Sequence, residues 1–260
     1  MRTTTEVTDP SREMDEREWW DVWNTSYRAV DDLDAIAREL FARAAEEVNR
    51  ITQRGGSRVL EVACGSGVLS RMLRFSSYHG LDISPAAIEI ARKKAGTFVL
   101  LDGAAVPTYE ATDFHDWPLP SQSFDVTVCV DAISSIRDQQ RAMDKIAQSL
   151  RPSGRLVLTT INRFVYERIK RTPNRPLASG PVSHWLSRPE LHALIQSAGL
   201  TIERSYTIMP RGNLGILRII NSWRLNQAFG SRVESGLRRL KERAGLGQYF
   251  VVVARKPTVD

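Results

Sequence analysis

Val59-Leu60-Glu61-Val62-Ala63-Cys64-Gly65-Ser66-Gly67 is a short apolar run carrying an acidic residue, and it breaks into a glycine turn. A second run closes on Gly80-Leu81-Asp82, again with a carboxylate. Strand, tight turn, amphipathic stretch and second strand predict the nucleotide-binding edge of a parallel α/β sheet. Gly65 and Gly67 let the backbone approach a ligand that a Cβ would exclude. Asp82 is placed to hold a ribose diol.

Further elements follow from periodicity and punctuation. Helices are predicted over 19–28 and 32–51, the second from Leu33, Ile36, Ala37, Leu40, Phe41, Ala44, Ala45 and Val48 at spacings of three and four. The first strand covers 58–63, with a helix over 68–74 and a second strand over 78–82. Ser84-Pro85 is a helix start, leading into 86–94. A third strand is expected over 108–112, with 98–101 competing for the role. A buried strand spans 124–130, a helix 139–150 stopped by Pro152 and Gly154, and a fifth strand 155–161. A helix over 189–198 precedes late strands at 201–208 and 248–254. The fold expected is α/β, a Rossmann-like, mostly parallel seven-stranded sheet with helices on both faces, an antiparallel last strand and a helical lid. The expected layout is a disordered stretch at 1–15, a helical lid at 16–54, a cofactor-binding core at 55–162 and the second half of the sheet at 163–260. A basic helical insertion is expected at 211–243.

At 260 residues and 42% hydrophobic content, the chain can bury one substantial core. No run of about 18 apolar residues is present, so no spanning helix is expected. Cys64 and Cys129 fall in strand or turn segments and are expected to be reduced packing residues of a cytosolic protein. The net charge of +6 is unevenly placed: residues 1–50 hold 13 acidic and 7 basic side chains, and residues 211–243 hold 8 basic and 2 acidic. The positive surplus is therefore local and is weak support for nucleic acid as partner.

Four pieces in order carry a resemblance to the class I S-adenosylmethionine-dependent methyltransferases, most closely the ubiquinone and menaquinone biosynthesis group. They are residues 59–67, Gly80-Leu81-Asp82-Ile83-Ser84, Asp113-Phe114 followed by Trp117-Pro118-Leu119-Pro120 and Ser123-Phe124-Asp125, and Leu150-Arg151-Pro152-Ser153-Gly154-Arg155. Ser153 stands where that family more often has glycine. The resemblance implies S-adenosylmethionine as cofactor, held around Ala63, Gly65 and Gly67. Asp82 would take the ribose hydroxyls, and Glu61 the amino acid end or the glycine turn itself. Asp113 would take the adenine amino group, with Phe114 or Ile83 on the ring, and Val130 and Asp131 would border the methionine portion. A nicotinamide dehydrogenase competes, but its third glycine would fall at Ser70, and its pyrophosphate needs that close approach.

The resemblance leaves the acceptor open. Asp131-Ala132-Ile133-Ser134 lacks the tetrapeptide of base-amino methyltransferases, so DNA is not expected as substrate and RNA is a lesser alternative. Ser134-Ser135 stands where many small-molecule members place a histidine. His184, ahead of the helix start at Ser187-Arg188-Pro189-Glu190, is the candidate base; His115 is a weaker one. Trp19, Trp20, Trp23 and Tyr27 read as a lid packed on the sheet edge, or as a cover with Tyr27 reaching the cofactor carboxylate. Residues 211–243 combine an apolar stripe with a cationic face, giving a lid, a peripheral membrane contact or a dimer surface. Arg163, Arg168, Lys170, Arg171 and Arg175 add a basic loop after the fifth strand. The expected reaction is methyl transfer to a hydroxyl, or an amine, of a small-molecule, glycan or lipid-linked acceptor. The expected setting is the cytoplasm, with peripheral contact to a membrane as an option. The rival reading is a non-catalytic adenosylmethionine-binding protein or a membrane-surface module.

Overall fold

The computed structural model describes residues 15–26, 35–52, 56–96, 105–169, 183–208 and 242–258, with residues 236 and 240. Tyr27, residues 1–14 and nearly all of 211–243 lie outside the described residues, as do Lys170, Arg171 and Arg175.

Seven strands form one sheet: β1 (Arg58–Val62), β2 (Ser77–Asp82), β3 (Thr108–Ala111), β4 (Phe124–Val130), β5 (Leu150–Ile161), β6 (Thr201–Ile208) and β7 (Tyr249–Arg255). Their order is β3-β2-β1-β4-β5-β7-β6, with β7 antiparallel to both neighbours and the other six strands running one way. Among the described residues, α2 (Ala35–Ile51), α3 (Pro85–Ala95), α4 (Gln139–Ser149) and α5 (Arg188–Ser197) pack on the sheet, and α1 (Glu16–Ser26) packs against α3. The strand order reverses between β1 and β4, and the crevice beyond their carboxyl ends is where an open α/β sheet receives a ligand.

Strand alternation divides the core. Val59 joins Leu40, Ala44, Val48, Tyr78 and Ile88 on the face covered by α2 and α3. Leu60 and Val62 join Leu81, Met143, Ile146 and Ile195 on the face covered by α4 and α5. Both faces of β4 are buried along its whole length, which is why it reads as an unbroken apolar run.

Three expected elements differ in extent. The stretch after Gly67 forms only a short 3-10 turn, Leu69–Met72, instead of a helix reaching residue 74. Asn49 on α2 stops it: its side chain donates to the Met72 carbonyl at 2.8 Å and accepts the Arg74 amide at 2.7 Å. β5 begins at Leu150 rather than at residue 155, because the chain turns extended directly after α4 and Leu150 pairs with Phe124. The Ser153 amide donates to the Lys256 carbonyl at 3.0 Å, extending the ladder. Ser153 has φ 63, a left-handed backbone that suits glycine better and explains the family's usual residue there. The first helix starts at Glu16, three residues earlier than expected, where Asp15 accepts the Glu18 amide at 2.8 Å.

α2 is tied across the sheet by buried Glu47, which accepts from Tyr206 at 2.9 Å and from the Arg204 guanidinium, both on β6. Cys64 and Cys129 are both buried and free.

Candidate functional site

A cavity opens at the carboxyl ends of β1, β2 and β4, and α1 closes over it. Its wall includes Ala63, Gly65, Asp82, Ile83, Asp113, Phe114 and Val130, all anticipated, together with Glu16, Trp20, Thr112, His115, Asp131, Ser135 and Arg137.

The glycine turn builds the floor. Ala63 and Gly65 both adopt left-handed backbone, with φ 56 and 53. A Cβ placed on Gly65 would meet no protein atom within 4 Å, so it would project into open space that the missing side chain leaves for a ligand. Gly67 serves a different purpose. A Cβ there would sit 2.8 Å from the Tyr109 hydroxyl, so this glycine makes room for an aromatic packed behind the turn.

Asp82 holds the turn and faces the cavity. One carboxylate oxygen accepts the Gly65 amide at 2.8 Å, and the other accepts the Ser84 amide at 2.9 Å. Each oxygen keeps a second lone pair for a further donor. Burial raises the carboxyl pKa above its usual range, and the two amides counter that rise. Beyond β3, Asp113 accepts the His115 amide at 2.8 Å. Phe114 is buried beside it, with the Lys145 ammonium 5.4 Å from its ring centre.

α1 is fixed at two points. Asp21 accepts the Ser84 hydroxyl at 2.5 Å and the Ala86 amide at 3.2 Å, placing an anion at the start of α3. Glu16 forms an ion pair of 2.8 Å with Arg137, from the segment leading into α4. Burial raises the Glu16 pKa, while Arg137 pulls it back. Trp20 lies on the cavity wall between these ties.

Two anticipated residues sit elsewhere. Glu61 is 1% exposed and is absent from the cavity wall. Alternation along β1 turns it from the face of Leu60 and Val62, and its carboxyl accepts the Tyr78 hydroxyl. Burial pushes its pKa up to about 8, which favours the protonated acid over the carboxylate. His184 is exposed and outside the cavity wall; its backbone donates to the Ser134 carbonyl at 2.7 Å and accepts from Gln139 at 3.0 Å. His115 does reach the cavity, and both its ring nitrogens are buried without a hydrogen-bond partner among the described residues. Trp23 belongs to α1.

Asp131 was expected beside Val130 at the end of a buried strand, and the structure places both on the cavity wall. Glu16 and Arg137 were not foreseen as site residues. Glu16 and Arg137 are 121 positions apart and carry no local signal.

Among the described residues, four carboxyl groups, Glu16, Asp82, Asp113 and Asp131, share this wall with one guanidinium, Arg137. Such a lining suits a cationic nucleoside and repels a pyrophosphate. Together with the open space at Gly65, it fits a sulfonium nucleoside and disfavours a dinucleotide.

Residues 36–205 match the family profile described as "Methyltransferase domain". The ubiquinone biosynthesis O-methyltransferase of Schizosaccharomyces pombe is 28% identical over 153 residues, covering 58% of this chain and 53% of that protein. A phthiotriol/phenolphthiotriol dimycocerosates methyltransferase of Mycobacterium leprae is 31% identical over 134 residues, covering 49% and 45%. The chain spans about half the length of these curated relatives. The crystal structure of an S-adenosylmethionine-dependent methyltransferase from Mesorhizobium loti superposes with a TM-score of 0.55 at 21% identity, covering 86% of this chain and 99% of that one. That likeness bears on the fold.

Proposed function

The chain belongs to the methyltransferase domain family, the class I S-adenosylmethionine-dependent enzymes, and from that premise we propose that it moves a methyl group to a hydroxyl of a small or lipid-linked acceptor. The observation that carries this reading is the joint between Asp82 and the Gly65 amide, which sets a carboxylate beside an open glycine turn in an acid-lined cavity.

The bound cofactor supplies an activated methyl on positively charged sulfur. The remaining work is binding and alignment. Asp82 offers its free lone pairs to the ribose hydroxyls; each charge-assisted bond of this type contributes about 1.5–3 kcal/mol. Asp113 and Phe114 take the base, Ala63 and Gly65 line the turn, and Ile83 and Val130 supply apolar wall. α1 excludes water from above. Correct alignment of the acceptor can lower the barrier by about 7–11 kcal/mol, more than the roughly 3–5 kcal/mol of a general base.

Two findings support the acceptor class. The relatives are named for O-methylation in ubiquinone biosynthesis and for methylation of phthiotriol or phenolphthiotriol dimycocerosates. The cationic, apolar-striped segment 211–243 suits an amphiphilic or acidic molecule. The layout of a helical lid at 16–54, a cofactor core at 55–162 and an acceptor half at 163–260 belongs to the same reading.

Calorimetry with S-adenosylhomocysteine and incubation of cell extracts with methyl-labelled cofactor test the proposal. It expects saturable binding that Asp82→Ala abolishes, and label in a small, ether-linked product. Binding without any labelled product would favour a non-catalytic binding protein. No binding would end the proposal.

A further inference from the structure

The reaction proposed above has a proton to place. Methyl transfer to a hydroxyl forms an O–C bond and breaks the C–S bond, whose electron pair returns to sulfur. The positive charge on sulfur disappears, and the hydroxyl proton must go to an acceptor.

Asp131 directly follows β4, on the far side of β1 from β2 and β3. Asp82 and Asp113 occupy that other side, so Asp131 marks the end of the cavity away from the ribose and adenine contacts. Its backbone is left-handed, φ 53, which is uncommon for a residue other than glycine. The Thr159 carbonyl and hydroxyl hold this conformation by accepting the Asp131 amide at 2.9 and 3.0 Å. Strain of this kind costs about 1–3 kcal/mol and persists where the surrounding structure over-determines it. The side chain has no hydrogen bond or ion pair among the described residues, and Asp131 belongs to the cavity wall with more than a third of its surface accessible.

We propose that Asp131 balances the charge of the cofactor's sulfonium and takes up the acceptor's proton when that charge is consumed. Before transfer the site would pair a carboxylate with a sulfonium; afterwards it would hold a neutral carboxylic acid beside a neutral thioether. No charge is left uncompensated at either stage. Desolvation pushes the free carboxyl up to about 7, so a nearby cation can switch it to the ionised form near neutral pH.

Other titratable or charged groups on the same wall are Glu16 from α1, Asp82 after β2, Asp113 and His115 after β3, and Arg137 ahead of α4, where Asp138 caps the helix. Cys129 lies behind it on β4, and Glu61 is coupled to that thiol. Beyond β5, Arg163 is engaged by Glu167 and Glu190.

The test needs no acceptor. The full chain and its Asp131→Asn variant are titrated with S-adenosylmethionine and with S-adenosylhomocysteine from pH 5.5 to 8.5, in buffers of differing ionisation enthalpy. In the parent protein, affinity for the sulfonium relative to the thioether rises at least about tenfold across that range. Sulfonium binding near pH 6.5 also releases protons beyond those released by the thioether. In Asp131→Asn this excess vanishes, while the thioether still binds; Asp131→Glu retains part of it. An affinity ratio with the same pH course in parent and Asn variant overturns the proposal. So does an Asn variant that weakens both ligands equally, because Asp131 would then hold the amino acid end they share. If neither ligand binds the parent protein, the reading of the cofactor site itself fails.

Discussion

Glu16 and Arg137 meet at 2.8 Å across the mouth of the cavity, one from the first helix and the other from the segment before α4. The Arg137 side chain is 69% exposed, so the pair is worth no more than about 1 kcal/mol. It tunes the lid, while the tie of Asp21 to the start of α3 remains. We expect Arg137→Glu to speed dissociation of S-adenosylhomocysteine up to about fivefold, with little change in melting temperature. Stopped-flow tryptophan fluorescence would follow it, since Trp20 lies on the wall. An unchanged dissociation rate would remove the pair from the lid.

Gly65 separates stability from binding. In Gly65→Ala, a left-handed residue gains a Cβ that clashes with no protein atom. The fold should lose about 1 kcal/mol, a fall in Tm of roughly 2–4 °C. The new methyl occupies ligand space, so affinity for S-adenosylhomocysteine should drop at least about tenfold. Normal affinity in a correctly folded variant would place the cofactor elsewhere.

Glu61 makes stability depend on pH with a definite sign. Its pKa rises from 4.5 to about 8 on folding because of burial. Between those values the folded state binds a proton that the unfolded chain has released. Its contribution is therefore complete below pH 4.5 and is lost as the pH climbs to about 8. Glu61→Gln keeps an acceptor for the Tyr78 hydroxyl and has nothing to titrate. The unfolding free energy from denaturant titration should drop less between pH 6 and pH 8.5 in the variant, by roughly 1–4 kcal/mol. Asp82 is raised for the same reason in both proteins, so their difference isolates Glu61. Equal slopes would contradict this account.

Glu47→Ala should destabilise the chain by about 2–3 kcal/mol. The change strips charge-assisted partners from Arg204 and Tyr206 and loosens α2 from β6. Thermal unfolding should show a Tm lower by roughly 5–10 °C. Binding of S-adenosylhomocysteine at low temperature should persist, since Glu47 is absent from the cavity wall.

The strands and the glycine turn were legible because their signals are local: apolar runs, left-handed glycines and a serine-proline helix start. Asp82, Asp113 and Phe114 followed, each fixed within a few residues of a strand end. Glu61 shows the limit of that reasoning. Its proximity to the turn in sequence suggested a ligand role, yet the two-residue period of β1 sends it to the opposite face. The signal was present in Leu60 and Val62, which mark the other side. His184 was chosen for its residue type ahead of a helix start, and the structure places it outside the cavity wall, exposed. The ion pair of Glu16 and Arg137 depends on how α1 docks, and no short-range pattern encodes it.

β7 lies between β5 and β6, and it has a consequence for synthesis. When Ile208 leaves the ribosome, β5 has no neighbour on its outer side, and β6 cannot pair with it directly. Both must wait for roughly forty more residues, about 2–8 s at ordinary elongation rates. During that interval a long strand presents a row of unmatched amides and carbonyls, open to stray pairing with another nascent chain. Translation speed through the basic stretch at 211–243 thus sets how long the growing protein is exposed to aggregation, and the final strand acts as the keystone that ends it.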